Sequence, residues 1–537
     1  MTEQTKEPKH LGKKTGSVSL ATLISRIAGF LRDMFIADRF GTTSLSDLFY
    51  IGYRIPNMLR ELFAEGALSS AFIPSLSRTL ATKGVREASR LYTAVLYILV
   101  IILGGVILLG ELFAPEILRI LAPGYSMDPH SRTIGITLIR IMFPFLFFIS
   151  LSALLMGILN VENKFFLPAF SPAFFSLGLV IGMVLPGGLT DHHPVYGLAM
   201  GVILGGIFQW ALQWFFMKKD SIGLDLSMSL KEGIRHTEAR RVMRLIIPSI
   251  GGLWVMQGNL LIATILGSYL AKGTISSLYY AMRLVQFPLG LIGAAIATVI
   301  LPILARQSLE ENAKEKSLHT LKDGYRLSLY FMLPATAGLL SLGEPLIKII
   351  FEHGSFRTQS VHETLLALWG YAIGLWSFSG VRILVRIYYA VQNTRFPVKA
   401  AIFGLLANLI VSVVFLKSLG IISLAVGITI GSIVNQLVLF YGSKKIMGQW
   451  PWVIFGNLLP VLGWSSGLFI LEAFLWKKFT VLFPAPSPSL IAMAILFLIV
   501  SGATFYIMGT IFSGVEEGRL LLSGSRSLLK RLLRRSR

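Results

Sequence analysis

The chain has no cysteine. That excludes disulfides, thiolate metal sites and cysteine nucleophiles. Charge is sparse: Asp, Glu, Lys and Arg make up 14% of the residues, against roughly 25% in a soluble domain. Acids are sparser still, 27 against 49 Lys plus Arg, for a net charge of +22. The 8 histidines show no HExxH or other paired-ligand spacing, and His192 and His193 fall in an expected loop. Nothing is arranged for a metal, a cofactor or an enzyme's chemistry.

What is abundant is apolar surface, 54% of the residues, with a mean hydropathy of +0.70. The chain reads as an all-α polytopic membrane protein. A charge of +22 would point to nucleic acid in a soluble protein; here cytoplasmic loops that collect Lys and Arg explain it, and no nucleic-acid partner is expected. Residues 1–16 are polar, with Lys6, Lys9, Lys13 and Lys14, and no small-residue cleavage site follows. They read as an uncleaved cytoplasmic tail.

A membrane helix needs about 20 apolar residues, and about fourteen stretches qualify. In order, spans 1–14 cover 17–39, 45–76, 91–113, 134–159, 165–187, 195–217, 241–269, 274–303, 323–344, 364–390, 398–417, 421–442, 452–476 and 488–512. Alternate connections are basic: Arg78, Lys83, Arg86 and Arg90 in 77–90, then Lys218, Lys219, Lys231, Arg235, Arg240, Arg241 and Arg244, then Lys314 and Lys316, Arg395 and Lys399, Lys444 and Lys445. An even count places both ends in the cytoplasm. The last residues, 513–537, interleave Arg526, Lys530, Arg531, Arg534, Arg535 and Arg537 with leucines, as an amphipathic helix on anionic lipid or a disordered basic end would.

Short matches recur at an offset of about 230 residues. SDLFY from Ser46 returns as SSLYY from Ser276, IPSLSR from Ile73 as LPILAR from Leu301, and Asn163 with Phe166 as Asn393 with Phe396. This points to a duplication: an N-lobe over 17–217, a linker over 218–240, a C-lobe over 241–442, and an unrepeated pair over 443–512. Six spans per copy restore the orientation, so the lobes would be parallel repeats.

Charge inside the spans is concentrated. Span 1 carries Arg26, Arg32 and Asp33; span 2 carries Asp47, Arg54, Arg60, Glu61 and Glu65; Arg140, Arg283, Arg382 and Arg386 follow in spans 4, 8 and 10. Span 7, the repeat partner of span 1, has Gln257 and Asn259 and no mid-span charge. Charge at a helix centre costs roughly 2.5–3.5 kcal/mol on insertion scales. Snorkelling to the headgroups accounts for Asp38, Arg39 and Arg386. Arg26 lies about nine residues, roughly 13 Å, from its span's cytoplasmic start, too deep for that. Arg60 reads as near the middle of span 2, and Arg283 as well inside span 8. Pairing of Arg26 with Asp33, seven residues on, is the competing account. It does not serve the whole set, because outside span 2 the in-span arginines outnumber the carboxylates. A surplus of guanidinium matches an anion such as phosphate or pyrophosphate. Pro56, Pro74, Pro144, Pro248, Pro288, Pro302 and Pro334 are hinge candidates. Gly197, Gly201 and Gly205 read as close helix packing.

The stretches SRIAGFLRDMFIADRFG (25–41), DLFYIGYRIPNMLRELFAEGALSSAFIP (47–74) and YYAMRLVQFP (279–288) resemble the MurJ (MviN) family of lipid II flippases, within the multidrug/oligosaccharidyl-lipid/polysaccharide exporter superfamily. The resemblance implies a bacterial inner-membrane flippase that carries undecaprenyl-diphosphate-linked peptidoglycan precursor outward by alternating access. It implies that Arg26, Arg32, Arg60 and Arg283 bind the diphosphate and headgroup, that Asp33, Asp47 and Glu65 gate or pair, and that Arg54, Arg140 and Arg382 are secondary cavity residues. Spans 13 and 14 would hold the lipid tail, and cell-wall synthesis machinery would be a partner. Spans 7, 11 and 12 lack Asp and Glu, so membrane potential is the expected drive rather than sodium. Rival readings are a flippase for another lipid-linked oligosaccharide, a multidrug cation antiporter, which should show unpaired cavity carboxylates, and a non-transporting scaffold for cell-wall enzymes.

Overall fold

The computed structural model describes residues 7–61, 68–185, 193–217, 222–307, 310, 312–448, 456 and 458–520, with side chains except at 7–15, 68–70, 246–256, 294, 295, 297, 298 and 313. Glu65, His192, Lys218, Lys219 and the cations of the tail from Arg526 onward lie outside the described residues, and the side chain of Pro248 outside the described side chains. Among the described residues there are helices and no strand. Two compact units divide between Ser276 and Ser277.

The first unit contains α1 (Glu7–Phe40), α2 (Ser44–Arg60), α3 (Leu68–Leu112), α4 (Ala114–Leu121), α5 (Pro123–Ser126), α6 (Pro129–Met142), α7 (Phe145–Val161), α8 (Phe166–Val184), α9 (Pro194–Phe215), α10 (Leu230–Arg235) and α11 (Thr237–Gly267). The division falls inside α12 (Thr274–Pro288). The second unit continues through a π-helical turn (Leu289–Gly293) into α13 (Ala294–Gln307), then α14 (Ala313–Ser341), α15 (Gly343–Phe351), α16 (Thr358–Ala372), α17 (Leu375–Ala390), α18 (Arg395–Leu419), α19 (Ile421–Met447), α20 (Leu458–Leu482) and α21 (Pro488–Phe512).

Each expected span coincides with a helix or a broken helix. By length and composition eight of the described helices can cross a membrane, or ten if two bent pairs each count as one span. Those pairs are Lys314–Ser341 with Gly343–Phe351, bent by 71°, and Thr358–Ala372 with Leu375–Ala390, bent by 44°. Among the described residues, which alone enter that count, spans 1 and 8 do not register, span 2 contributes only its end from Ala71, and of span 7 only Gln257–Gly267 registers, as a shorter apolar helix. The count of fourteen therefore rests on the sequence reading. Spans 1, 2 and 8 are the ones in which charge or helix interruptions dilute the apolar run.

Within span 2, α2 is described to Arg60, with Glu61 donating its N–H to the Asn57 and Met58 carbonyls, and α3 is described from Leu68; residues 62–67 between them lie outside the described residues. Asn57, Arg60 and Glu61 crowd one turn and hydrogen-bond one another. One expectation changes. The expected loop at 77–90 is helical instead, part of α3, and breaks only at Gly84 (φ 81°, ψ −177°). Its Ala, Lys, Arg and Glu residues are good helix formers, and glycine supplies the one left-handed step.

Helix breaks recur at matching places in the two units. The α6–α7 break after Met142 returns as the α16–α17 break after Ala372. Helix α7 ends on Asn163 at φ 61° and α17 on Gln392 at φ 57°. In both, the next N–H reaches back to close the end, Lys164 to the Leu159 carbonyl and Asn393 to the Tyr388 carbonyl, each 2.8 Å. The structural partner of Asn163 is therefore Gln392, one residue before the Asn393 that the sequence match suggests. The pairs α8–α9 and α18–α19 both pack backbone to backbone. A Cβ on Gly178 would sit 2.3 Å from the Gly205 nitrogen, and one on Gly404 would sit 2.5 Å from the Gly431 carbonyl oxygen.

Candidate functional site

Helix α1 shows two faces. Leu20, Leu23, Ile24, Ile27, Leu31 and Phe35 are exposed and form an apolar stripe at helical spacing. The opposite side packs on α8, where the Ser25 hydroxyl donates to the Ala169 carbonyl at 2.7 Å. Arg26 is also exposed. At 100° per residue it sits roughly 120–130° from the centre of the apolar stripe, close in phase to the buried Asp33. Among the described residues Arg26 has no hydrogen bond or ion pair. Asp33 accepts instead from its neighbour Arg32, at 2.7 Å from Nη2 and 3.0 Å from Nε. The Arg32 guanidinium carbon stands 5.9 Å from the Phe175 ring centroid, so ring and carboxylate together fix it.

Arg60 donates from Nε to Asn57 Oδ1 at 3.0 Å, and its Nη2 lies 3.8 Å from Glu61 Oε1. Gln257 of α11 donates to the other oxygen of Glu61. Gln257 thus belongs to the same polar cluster, a place legible beforehand only as an amide in an apolar run. Arg54 is half-buried on the same helix.

Asp47 is fully buried and meets no cation among the described residues. Its Oδ2 accepts from the Tyr125 hydroxyl at 2.6 Å and the Gly273 N–H at 2.8 Å; its Oδ1 accepts from the Ser276 N–H at 2.8 Å and the Ser276 hydroxyl at 2.7 Å. It ties α2 to α5 and to the start of α12. Gly273 has φ 99°, and a Cβ there would lie 2.2 Å from the Thr42 carbonyl oxygen, so only glycine fits the junction.

In the second unit Arg283 is half-buried, with Nη2 2.5 Å from the Tyr279 hydroxyl and its guanidinium carbon 4.9 Å from the same ring's centroid. The tyrosine, one turn earlier on α12, positions the cation. Two secondary candidates serve the backbone. Arg140 donates to the Glu111 carbonyl at 3.2 Å, near the end of α3. Arg382 donates to the Leu289 carbonyl at 3.3 Å, at the start of the π-helical turn. Sequence reasoning passed over Glu472, a buried acid on α20 that accepts from Ser341. Its signal was there to find: it is a lone carboxylate inside an otherwise apolar span.

Among the described residues no group of His, Asp or Glu is placed to hold a metal ion. Apolar helices with cationic residues set inside them define a polytopic membrane transport protein. The family model described as lipid II flippase MurJ matches residues 36–508. The probable lipid II flippase MurJ of Vibrio cholerae serotype O1 is 34% identical over 442 residues, covering 81% of this chain and 83% of that protein. The lipid II flippase MurJ of Burkholderia cenocepacia is 34% identical over 431 residues, covering 80% and 83%. A solved structure of lipid II flippase MurJ in an inward closed conformation superposes with a TM-score of 0.75 at 26% identity, over 92% of this chain and 98% of that one. An inward-facing multidrug resistance MATE family transporter of the MOP superfamily shares the fold, with a TM-score of 0.64 at 16% identity over 80% and 94%. The chain belongs to the MurJ family of lipid II flippases: it is a multi-pass membrane transporter, not an enzyme.

Proposed function

We propose that this protein carries lipid II from the inner to the outer leaflet by alternating access, and that Arg26, Arg32, Arg60 and Arg283 hold its diphosphate. The observation that carries the reading is Arg26. It lies 14 residues, about 21 Å, from the end of α1 at Phe40, away from that helix's apolar stripe and with no acidic partner among the described residues. A guanidinium so placed needs an anion or water, because hydrocarbon is too costly. Arg60 and Arg283 are held by Asn57 and Tyr279, and a positioned guanidinium matches phosphate oxygens bidentately. The helix interruptions after Met142 and Ala372 and the π-helical turn after Pro288 supply places to bend. Helices α20 and α21 expose Phe469, Ile470, Phe474, Leu496 and Phe497, a surface on which a polyprenyl tail can stay in lipid. Both chain ends belong in the cytoplasm on this reading, and cell-wall synthesis enzymes are its natural neighbours.

The test is alanine at Arg26, Arg60 and Arg283, one at a time, in cells depleted of their own lipid II flippase. Loss of growth with normal membrane levels of each variant, together with weakened lipid II binding by native mass spectrometry, is expected. Full complementation by all three variants would sink the clamp. Rescue of export of another lipid-linked saccharide, but not of lipid II, would select that rival substrate.

A further inference from the structure

Glu472 has 3% of its surface exposed, in the middle of α20. Helices α14 and α21 pack against α20. Among the described residues the only hydrogen-bonding partner of the carboxyl is Ser341, the last residue of α14, with Oγ 2.5 Å from Oε2. Glycines surround the group. A Cβ on Gly502 would lie 2.6 Å from Oε1, and one on Gly338 would lie 3.8 Å from Oε2. The site is shaped for a carboxyl group and offers it one hydroxyl.

That hydroxyl has a single hydrogen, and it has other acceptors. Ser341 Oγ also lies 2.9 Å from the Ala337 carbonyl oxygen and 3.3 Å from that of Gly338. If Glu472 were ionised, Ser341 would have to turn its hydrogen to the carboxylate and leave the Ala337 contact, and the charge would be buried with one donor. If Glu472 carries a proton, that proton goes to Ser341 Oγ and the serine hydrogen goes to Ala337. Both hydrogens then have acceptors, as buried polar groups require.

Among the described residues no charge nearby offsets this. On α14 the ionisable residues nearest to Ser341 are Tyr330, which meets Thr510, and Arg326, which meets Glu516 and Glu517 fifteen residues away in sequence. Tyr506 is the ionisable residue of α21, and its hydroxyl donates to the Tyr330 carbonyl. Glu344 and Lys348 of α15, the helix that follows Ser341 and packs on α21, pair with each other at 2.7 Å. Lys477 and Lys478 lie farther along α20, and Lys478 stacks on Phe474. An ionisable residue inside the membrane without a countercharge marks a functional site by default.

We infer that Glu472 is a proton-binding site: as the neutral acid it latches α20 to the end of α14, and loss of the proton releases the latch. The ligand is a proton. The site uses none of those arginines and stands whether or not they bind a diphosphate.

Infrared difference spectroscopy on the full-length protein in lipid, titrated with pH, tests it without any transport readout. The expected result is a protonated-carboxyl C=O band at neutral pH that is absent in Glu472→Gln and shifted in Ser341→Ala. In the unsubstituted protein the band should fade as the pH rises. Hydrogen exchange at the end of α14 should quicken over that same interval, and Glu472→Gln should keep it slow throughout. A neutral-pH spectrum with no such band would overturn the inference. So would carboxylate bands at Glu472 that respond to sodium instead of pH.

Discussion

Ser46 and Ser276 occupy equivalent positions in the two sequence repeats, and their hydroxyls hydrogen-bond to each other at 3.2 Å. The residue after Ser46 is Asp47, and the copy replaces it with Ser277. The duplicated motif has thus diverged where it matters: one copy keeps the carboxylate, and the other's serine supplies two of its four donors. Asp47→Ala should leave buried donors without an acceptor and cost roughly 2–4 kcal/mol. Thermal unfolding in detergent is the measurement, and an unchanged midpoint would show that the junction does not depend on this acid. Asp47→Asn, which keeps one carbonyl acceptor, should fall between.

The glycine contacts make a sharper packing prediction. Gly178→Leu would drive its side chain into the backbone of Gly205, and neither helix has a flexible group there to yield. Helices α8 and α9 should separate, with loss of folded protein from the membrane. Gly104→Leu is the control, because a Cβ there meets nothing within 4 Å. Equal expression of the two variants would count against close α8–α9 packing.

Much of the fold was legible beforehand because hydropathy reports burial in lipid directly. Every apolar run became a helix or a broken one, and the repeat offset located the matching breaks. What was not legible follows from interactions that hydropathy does not see. Asn57 and Glu61 hold Arg60 within its own helix, and no window average registers that. The run 77–90 looked like a loop because it is charged, yet charged residues that favour helix extend α3 through it. At the site, residue type showed which side chains carry charge but not whom they meet. Asp33 pairs with its neighbour Arg32 rather than with Arg26, because adjacent side chains on α1 can converge on a single carboxylate oxygen. Arg382 turned out to donate to a carbonyl at the start of the π-helical turn, a contact created only by the fold.

That last contact separates two kinds of arginine. Arg382→Ala should leave the Leu289 carbonyl without its donor and lower stability by roughly 1–3 kcal/mol while lipid II still binds. Arg283→Ala should do the reverse, with near-normal stability and weakened binding. Thermal unfolding and native mass spectrometry on the same two preparations decide it. Identical behaviour of the two variants would remove the distinction.

The linker after α9 gives a pH test outside the membrane. The Asp225 N–H donates to Thr93 Oγ1 at 2.9 Å, the Gly223 N–H to Ser89 Oγ at 3.2 Å, and the Tyr97 hydroxyl to the Met228 carbonyl at 3.3 Å, so residues 223–228 are seated on α3. The Asp225 carboxylate accepts from the Ser227 hydroxyl and N–H, and these bonds, with Arg90 nearby, hold its pKa below the ordinary value. A depressed carboxylate stabilises the seated form above its unfolded pKa, and that contribution disappears as the pH falls through the depressed one. Hydrogen exchange over 223–235 should therefore quicken on acidification below the usual carboxylate range, and Asp225→Asn should show fast exchange already at neutral pH. Exchange that is unaffected by either change would mean the seat depends on the backbone bonds alone.

The drive can be argued from charge. Lipid II brings a diphosphate, and with a negative cell interior each net negative charge moved outward gains roughly 2.3 kcal/mol per 100 mV. The arginines that would bind it are fixed to helices by Asn57, Asp33 and Tyr279, so they stay behind while the anion leaves. The step that moves charge is then release of the headgroup outward, and the empty protein returns with its own cations inside the field. Proteoliposomes carrying an inside-negative potential should translocate lipid II faster outward than de-energised ones, and an ionophore that collapses the potential should remove the difference. Sodium replacement at constant potential should have no effect, since spans 7, 11 and 12 carry no acid to hold the ion. A rate that follows the sodium gradient at zero potential would place the coupling elsewhere and leave the fixed arginines as binding groups only.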